Sequence, residues 1–429
     1  MAGTDTSTAD EILKTVYGEI KELIPHKFRT LEMFEERDAK EWGGRFVEYP
    51  AHVGRNSGVG SYAEMGALPP AGAQKYATVR IPMKYTGGRV QFSTQIMKAS
   101  QGPRSAFVSI MESEMQGLVK DLRNYLARAI LHDGRGILAY VNGTSTGTTV
   151  TVDSPGGVAG ATNGTRFINA GDLVTFVTAA TGAIVASADE TVVTVPAAGT
   201  TFTTGTSTSG PVDNNYVVRA NKAALTDVSD TSYVKDPMGL LGGIDDATYV
   251  ATYMNVNRTT YPSTQSTVIG SVGALSSDVM QRGIDLADQR GDGEISKFIM
   301  HHSVRRAYIA MTDDGRRYMG GDLNRPDAGT VAAKKRPLTF GGIELWEEKY
   351  APYGMVFGCD ESSFVRYTED KGSWMDEDGS VLQRLGTGSS LQDGYEAFFR
   401  RWENWVVEKP NTCFRLDGVT ASVVVSHID

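Results

Sequence analysis

The chain is 429 residues long, with 40% hydrophobic residues, 22% charged residues and a formal net charge of -9. This composition excludes a disordered chain, and the acidic balance speaks against a nucleic-acid reader, which carries a basic face. No run approaches the roughly 18 apolar residues of a membrane helix, the start Met1-Ala2-Gly3-Thr4-Asp5 lacks a signal region, and two cysteines, Cys359 and Cys413, are too few for a disulfide framework.

The first predicted element is an amphipathic helix. Asp10 is its N-cap, and Ile12, Leu13, Val16, Ile20, Leu23 and Ile24 recur at helical spacing up to Pro25. A lone helix of about four turns is marginal in water, so its apolar face needs this chain's own core or a neighbouring subunit. From Gly43 to Ser93 the period becomes strand-like. Arg45 to Tyr49 leads into the flexible run Gly54–Gly60, Pro69-Pro70-Ala71-Gly72 supplies turn signals, and Val79, Ile81, Met83 and Tyr85 resume the alternation. Two strands around a long polar excursion describe an extended hairpin, which is weakly stable alone. It serves contact with another surface, or folds as a flap over its own domain.

A long helix follows from Pro103 to about His132, with Phe107, Met111, Met115, Leu118, Val119, Leu122, Leu126 and Ile130 on one face. At 1.5 Å per residue it spans roughly 45 Å, and Gly134 ends it. Residues 143–211 then hold 18 Thr and 11 Gly among 69 positions, with five charges. Short β-branched runs such as Thr149–Val152, Val174–Val177 and Val192–Val195 predict an inserted small β-sandwich or barrel. A low-complexity linker is the alternative. The rest reads as mixed α/β, giving an α+β fold. It has a helix capped at Ser276 or Ser277 and ending at Gly291, a strand Lys297–His301 and a helix capped by Ser303. Strands follow at Ile343–Trp346, Met355–Phe357, Phe364–Tyr367, Ala397–Phe399 and Trp405–Val407.

Chemical motifs are weak. Gly143-Thr144-Ser145-Thr146-Gly147 matches the nucleophile-elbow pattern, but it opens a β region where that motif needs a strand before it and a helix after it. His301 and His302 are adjacent on a predicted strand and so face opposite sides, which does not suit one metal ion. Asp313 with Asp314, and Asp376 with Asp378, read as solvated loop charge, as does Lys334-Lys335-Arg336. Arg290-Gly291-Asp292 falls in a helix-terminating turn. The sequon-like Asn142-Gly143-Thr144 and Asn163-Gly164-Thr165 mean little without a secretory route. No catalytic, cofactor-binding or metal residue is assigned.

The order of arm, hairpin, long helix and mixed α/β resembles the major capsid proteins of tailed bacteriophages. Arg80–Tyr85 running into Gly88–Ser93 resembles the return strand of that family's E-loop, and Ile96-Met97-Lys98-Ala99-Ser100 the step to its spine helix. Ile299–Ser303 is similar to a strand-to-helix step of its axial (A) domain. Asp314–Tyr318 resembles the turn that follows that step, and Val356–Asp360 an apolar-Phe-Gly-Asp motif with Cys359 interposed. Phe398–Val407 is similar to the closing strands of the peripheral (P) domain.

The resemblance implies an N-terminal helix and arm at 1–42, an E-loop at 43–93, a P-domain spine helix at 94–142 and a decorating β insertion at 143–220. An A domain with P-domain strands follows at 221–390, and closing P-domain strands at 391–429. It implies a non-enzymatic virion protein, assembled in the host cytoplasm into an icosahedral shell of hexamers and pentamers around double-stranded DNA, without sequence-specific DNA contacts or a membrane. Portal, a separate scaffolding protein and a decoration protein are the implied partners, and no cofactor is. Some members weld the shell with a Lys–Asn isopeptide, for which Lys75 and Lys84 are the E-loop candidates. An encapsulin-type compartment shell is the alternative, followed by a surface-decorating β adhesion protein and a hydrolase using Ser145.

Overall fold

The computed structural model describes residues 28–38, 46–95, 106–160, 163–179, 182–185, 189–208, 210–219, 235–316, 338–376, 380–385 and 393–421. The helix predicted at Asp10–Ile24, the Ile96–Ser100 segment and Lys334-Lys335-Arg336 lie outside them.

In chain order the early elements are β1 (Glu35–Asp38), β2 (Phe46–Gly54), β3 (Lys75–Pro82), β4 (Lys84–Ser93) and α1 (Ala106–Ala129). β2 and β3 pair antiparallel from Phe46↔Pro82 outward and form the predicted hairpin. The return strand read through to Ser93 divides at Met83. Beyond it, β4 leaves the hairpin and joins a different sheet. Pro82 offers no N–H to continue one ladder, and its carbonyl accepts the Asn404 amide at 2.8 Å instead. Helix α1 runs for 24 residues, about 36 Å, and its Leu118 seats on Gly88 of β4. Its end tightens through Leu131 N–H to Arg128 C=O and His132 N–H to Ala129 C=O before Gly134 turns the chain at φ 80°.

The Thr-rich block folds as a closed barrel. Strands β5 (Ile137–Val141), β6 (Thr149–Asp153), β7 (Leu173–Val177), β8 (Glu190–Thr194), β9 (Thr201–Thr204) and β10 (Tyr216–Arg219) close in the order β10-β5-β6-β9-β8-β7. Alternation is the cause. In β6, Val150 and Val152 are buried while Thr149 and Thr151 face solvent. Inside, the rings of Phe176 and Phe202 lie parallel 6.5 Å apart. The barrel starts ahead of the compositional break at 143, because β5 is apolar rather than Thr-rich. Its core runs into the body of the protein through Ile130, Leu131, Phe167 and Ile168.

A one-turn helix α2 (Leu240–Gly243) and a small hairpin of β11 (Thr252–Tyr253) and β12 (Val256–Asn257) follow. The second half holds β13 (Thr267–Ile269), α3 (Ser277–Gly291), β14 (Lys297–Met300), α4 (His302–Arg316), β15 (Thr339–Phe340), β16 (Ile343–Glu347), β17 (Val356–Cys359), β18 (Phe364–Trp374), β19 (Gln383–Arg384), β20 (Gly394–Val407) and β21 (Phe414–Leu416). One mixed sheet runs β13-β21-β17-β14-β16-β15, with Met280 and Ala287 of α3 and Val304 and Tyr308 of α4 in its core. Ser276 caps α3 as predicted, its Oγ accepting from Val279 N–H.

The other sheet is organised on β20. β18 and then β19 pair along one edge, β4 along the other, and β1 adds parallel to β18. The two strands predicted at Ala397–Phe399 and Trp405–Val407 are one. The polar stretch between them is paired on both sides and includes Glu403 and Asn404, both fully buried. Sheets and helices together give an α+β fold.

Candidate assembly surface

The long hairpin buries its stem and exposes its tip. Val47, Val79, Ile81 and Met83 are buried at the base, packed on Tyr253, Met254, Val256, Val365, Tyr367 and Val406. Outward from there, burial fades along both strands. A salt bridge from Arg80 Nε to Glu48 Oε1 at 2.5 Å crosses the exposed face. Such an exposed pair adds little stability.

The two limbs of the loop cross at Gly58 and Gly72. A Cβ on Gly58 would lie 2.6 Å from both Gly72 N and Pro70 O, and one on Gly72 would lie 2.0 Å from Asn56 Oδ1. Only glycine allows that crossing. Asn56 Oδ1 also accepts Gly58 N–H at 2.7 Å, and Gly66 N–H closes a turn on Ala63 C=O. Past the crossing, Val59, Tyr62, Met65 and Leu68 are 86%, 64%, 103% and 72% exposed, with Tyr76 also exposed on the β3 side. Four solvent-facing apolar side chains within ten residues of one loop make it the candidate interaction surface.

The residues that looked chemical are placed apart from this surface. Ser145 is buried, and its Oγ lies 2.8 Å from Thr208 Oγ1, so its hydroxyl belongs to the barrel wall. The strand predicted to reach His301 stops at Met300, and His302 opens α4. The expectation that the two imidazoles face opposite sides therefore does not hold: their rings sit edge to face with centroids 5.5 Å apart. The cap of α4 is also His301 rather than Ser303. Its Nδ1 accepts Ser303 N–H at 3.1 Å, because the chain turns out of the strand one residue earlier than the periodicity indicates. Burial, then the nearby Arg166, His302 and Arg306, hold the His301 imidazole down to about 2.

Arg290 donates to Ser266 C=O, and Asp292 terminates α3 at φ 52°, so the Arg-Gly-Asp run is the predicted helix end. Asn163 is buried with φ 65°, closed to glycosylation, whereas Asn142 is exposed. Lys75 is exposed where β3 starts, and Lys84 lies opposite Glu403 across β4 and β20. Asp376 is exposed. Asp378 and the side chains of Asp313 and Asp314 fall outside the described residues. Among the described residues no group of three His, Cys, Asp or Glu is placed to hold a metal ion, and no helix is long and apolar enough to cross a membrane.

Among the described residues four buried arginines escaped the sequence reading: Arg128, which pairs with buried Asp236, and the fully buried Arg166, Arg258 and Arg415. Arg258 and Arg415 share the carboxylate of fully buried Asp245 at 3.5 and 3.2 Å, and both donate to carbonyls of the α2 turn. Arg166 donates to Lys349 C=O and lies over the rings of Tyr353 and Phe167, joining the barrel to the body. Burial pushes its guanidinium down to about 10. One signal was available for it, since it is the sole basic residue of the Thr-rich block.

No family model matches the sequence, and no curated protein does. Solved structures do. A chain of the cyanophage A-1(L) capsid asymmetric unit superposes with a TM-score of 0.54 at 11% identity, covering 88% of each chain. The capsid of a native GTA particle gives 0.47 at 10% identity over 98% of this chain and 100% of that one. The holo-SrpI encapsulin complex of Synechococcus elongatus PCC 7942 gives 0.43 at 8% identity, covering 99% of each. At such identities likeness speaks for the fold, and the fold argument rests on the cyanophage structure, whose TM-score exceeds one half. Over most of its length the chain thus follows a fold already seen in a virus shell: this chain has a phage-capsid fold.

Proposed function

We propose that the chain is a major capsid protein that self-assembles into the icosahedral head shell of a tailed bacteriophage enclosing double-stranded DNA. The observation that carries this reading is the apolar tip of the long hairpin, exposed on a chain with a capsid fold. A subunit that binds copies of itself places its binding energy in extended contacts rather than in a pocket. A projecting hairpin that buries little at home gains burial by lying across a neighbour.

In this reading the hairpin is the E-loop and α1 the spine helix. The β20 sheet belongs to the P domain, the β14 sheet to the A domain, and the barrel decorates the shell. The net charge of -9 suits a wall that does not hold packaged DNA tightly. Hexamers and pentamers of the chain are the building units, with portal, a separate scaffolding protein and a decoration protein as partners. Light scattering of the purified chain, alone and with co-expressed phage assembly factors, tests this. Megadalton particles support it, and a persistent monomer in every condition contradicts it. Particles that enclose a cargo enzyme instead of DNA would establish the encapsulin-type alternative.

A further inference from the structure

The long hairpin does not leave the body unsupported, because the small hairpin of β11 and β12 is built against its stem. Met254 and Asn255 form the two-residue turn of that small hairpin, with φ of 45° and 69°. Both central residues are left-handed, as a type I′ turn requires, and such turns prefer Asn-Gly. Met254 is instead a bulky residue held in a conformation that glycine tolerates best, and its side chain is buried among Val47, Val79 and Ile81.

Its backbone is used as well. The Met254 carbonyl accepts Arg80 N–H at 2.9 Å, and Asn255 Nδ2 donates to Thr78 C=O at 3.5 Å, so the turn grips β3 at two places. A few residues on, Ser263 Oγ donates to the Val53 carbonyl at 3.0 Å and grips β2. That grip falls where the β2–β3 register shifts, between His52 and Gly54. Beyond this bulge, the hydrogen bonds of residues 55–74 among the described residues stay within the hairpin.

We propose that residues 252–264 are a bracket that fixes the angle of the long hairpin on its own subunit, with the bulge at Val53 as the pivot beyond which the tip adapts to its seat. Its consequence for assembly rests on the shell reading. An arm already oriented loses less freedom when it docks, so binding is stronger and faster than for a swinging arm.

The test uses the full chain carrying Met254→Gly, Asn255→Gly and Ser263→Ala. Gly-Gly keeps the turn geometry and removes the side chains that grip the stem. Hydrogen exchange read by mass spectrometry is expected to be at least tenfold faster over residues 46–54 and 75–82 and unchanged over 297–300. Assembly, followed by light scattering, is expected to be at least tenfold slower than wild type. Ser263→Ala alone, which leaves the turn intact, should speed exchange over 46–54 only. Unchanged exchange in both hairpin strands overturns the bracket, and faster exchange with wild-type assembly overturns its role in docking. If the wild-type chain forms no shell, the shell reading fails while the exchange result still decides the bracket.

Discussion

The guanidinium of Arg166 lies 4.0 Å from the ring centroid of Tyr353, and the same ring packs edge to face on His301 at 4.7 Å. Among the described residues no carboxylate pairs with Arg166. Arg166 is therefore a buried cation with no carboxylate of its own, and a further positive charge beside it is disfavoured.

Two imidazoles feel this. Burial, then Arg166, His302 and Arg306, hold His301 down to about 2, and burial, then Arg128 and Arg166, hold His132 down to about 3. The ordinary value is 6.5. Below it the unfolded chain binds these protons and the folded chain does not, so each histidine withdraws stability as pH falls toward its folded value. The loss is about 1.4 kcal/mol per pH unit for each. Urea denaturation should therefore lose about 2 kcal/mol per histidine between pH 6.5 and 5. His301→Asn keeps an acceptor for Ser303 N–H and does not titrate, so its pH dependence should be shallower by one histidine's share. Identical slopes for the variant and wild type would contradict the assignment.

Asp245 is the shared anion of a second junction. It accepts the backbone N–H groups of Ala247, Tyr249 and Val250 and faces both Arg258 and Arg415. Asp245→Ala leaves buried Arg258 without a carboxylate and Arg415 with Asp417 alone, at 2.8 Å, and should cost about 3 kcal/mol. A shift in denaturation free energy below about 1 kcal/mol would show that the backbone carbonyls suffice for Arg258 and, with Asp417, for Arg415.

Phe414 is clamped edge-on between two glycines. A Cβ on Gly358 of β17 would lie 2.2 Å from its Cε1, and one on Gly283 of α3 would lie 2.3 Å from its Cε2. Gly358→Ala should destabilise by about 3 kcal/mol through overpacking, and adding Phe414→Leu should recover part of that loss. Unchanged thermal unfolding of Gly358→Ala would refute the clamp.

What was legible in the sequence follows from where the pattern is simple. Val150 and Val152 alternating with Thr149 and Thr151 announced the barrel, and the Gly/Pro-rich excursion between two alternating strands announced the hairpin. Pattern failed where polar residues are buried. Asn404 sits inside β20, donates to Pro82 C=O and accepts Met238 N–H, and so looked like a break between two strands. β5 carries an apolar run without alternation, because it is covered on both sides, and it blended into the end of α1. Arg258 and Arg415 look like any surface cation in the sequence. Their burial is set by carbonyls and rings brought from distant parts of the chain, which no local pattern reports. The apolar tip was missed as well, because the Gly/Pro-rich excursion reads as polar and its apolar residues do not alternate as in a strand. Val59, Tyr62, Met65 and Leu68 stand in a turn-rich loop that has no core of its own to bury them.

That tip is where the account is most exposed to test. Met65 and Leu68 are solvent-facing, so Met65→Asp with Leu68→Asp should leave the subunit folded, with thermal unfolding within a few degrees of wild type. The measurement is electron microscopy of wild type and this variant, purified from identical co-expression with the phage assembly factors. Closed shells from wild type and only soluble subunits or capsomers from the variant are predicted. Shells of the same size and yield from both would contradict the claim that the hairpin tip is the assembly surface.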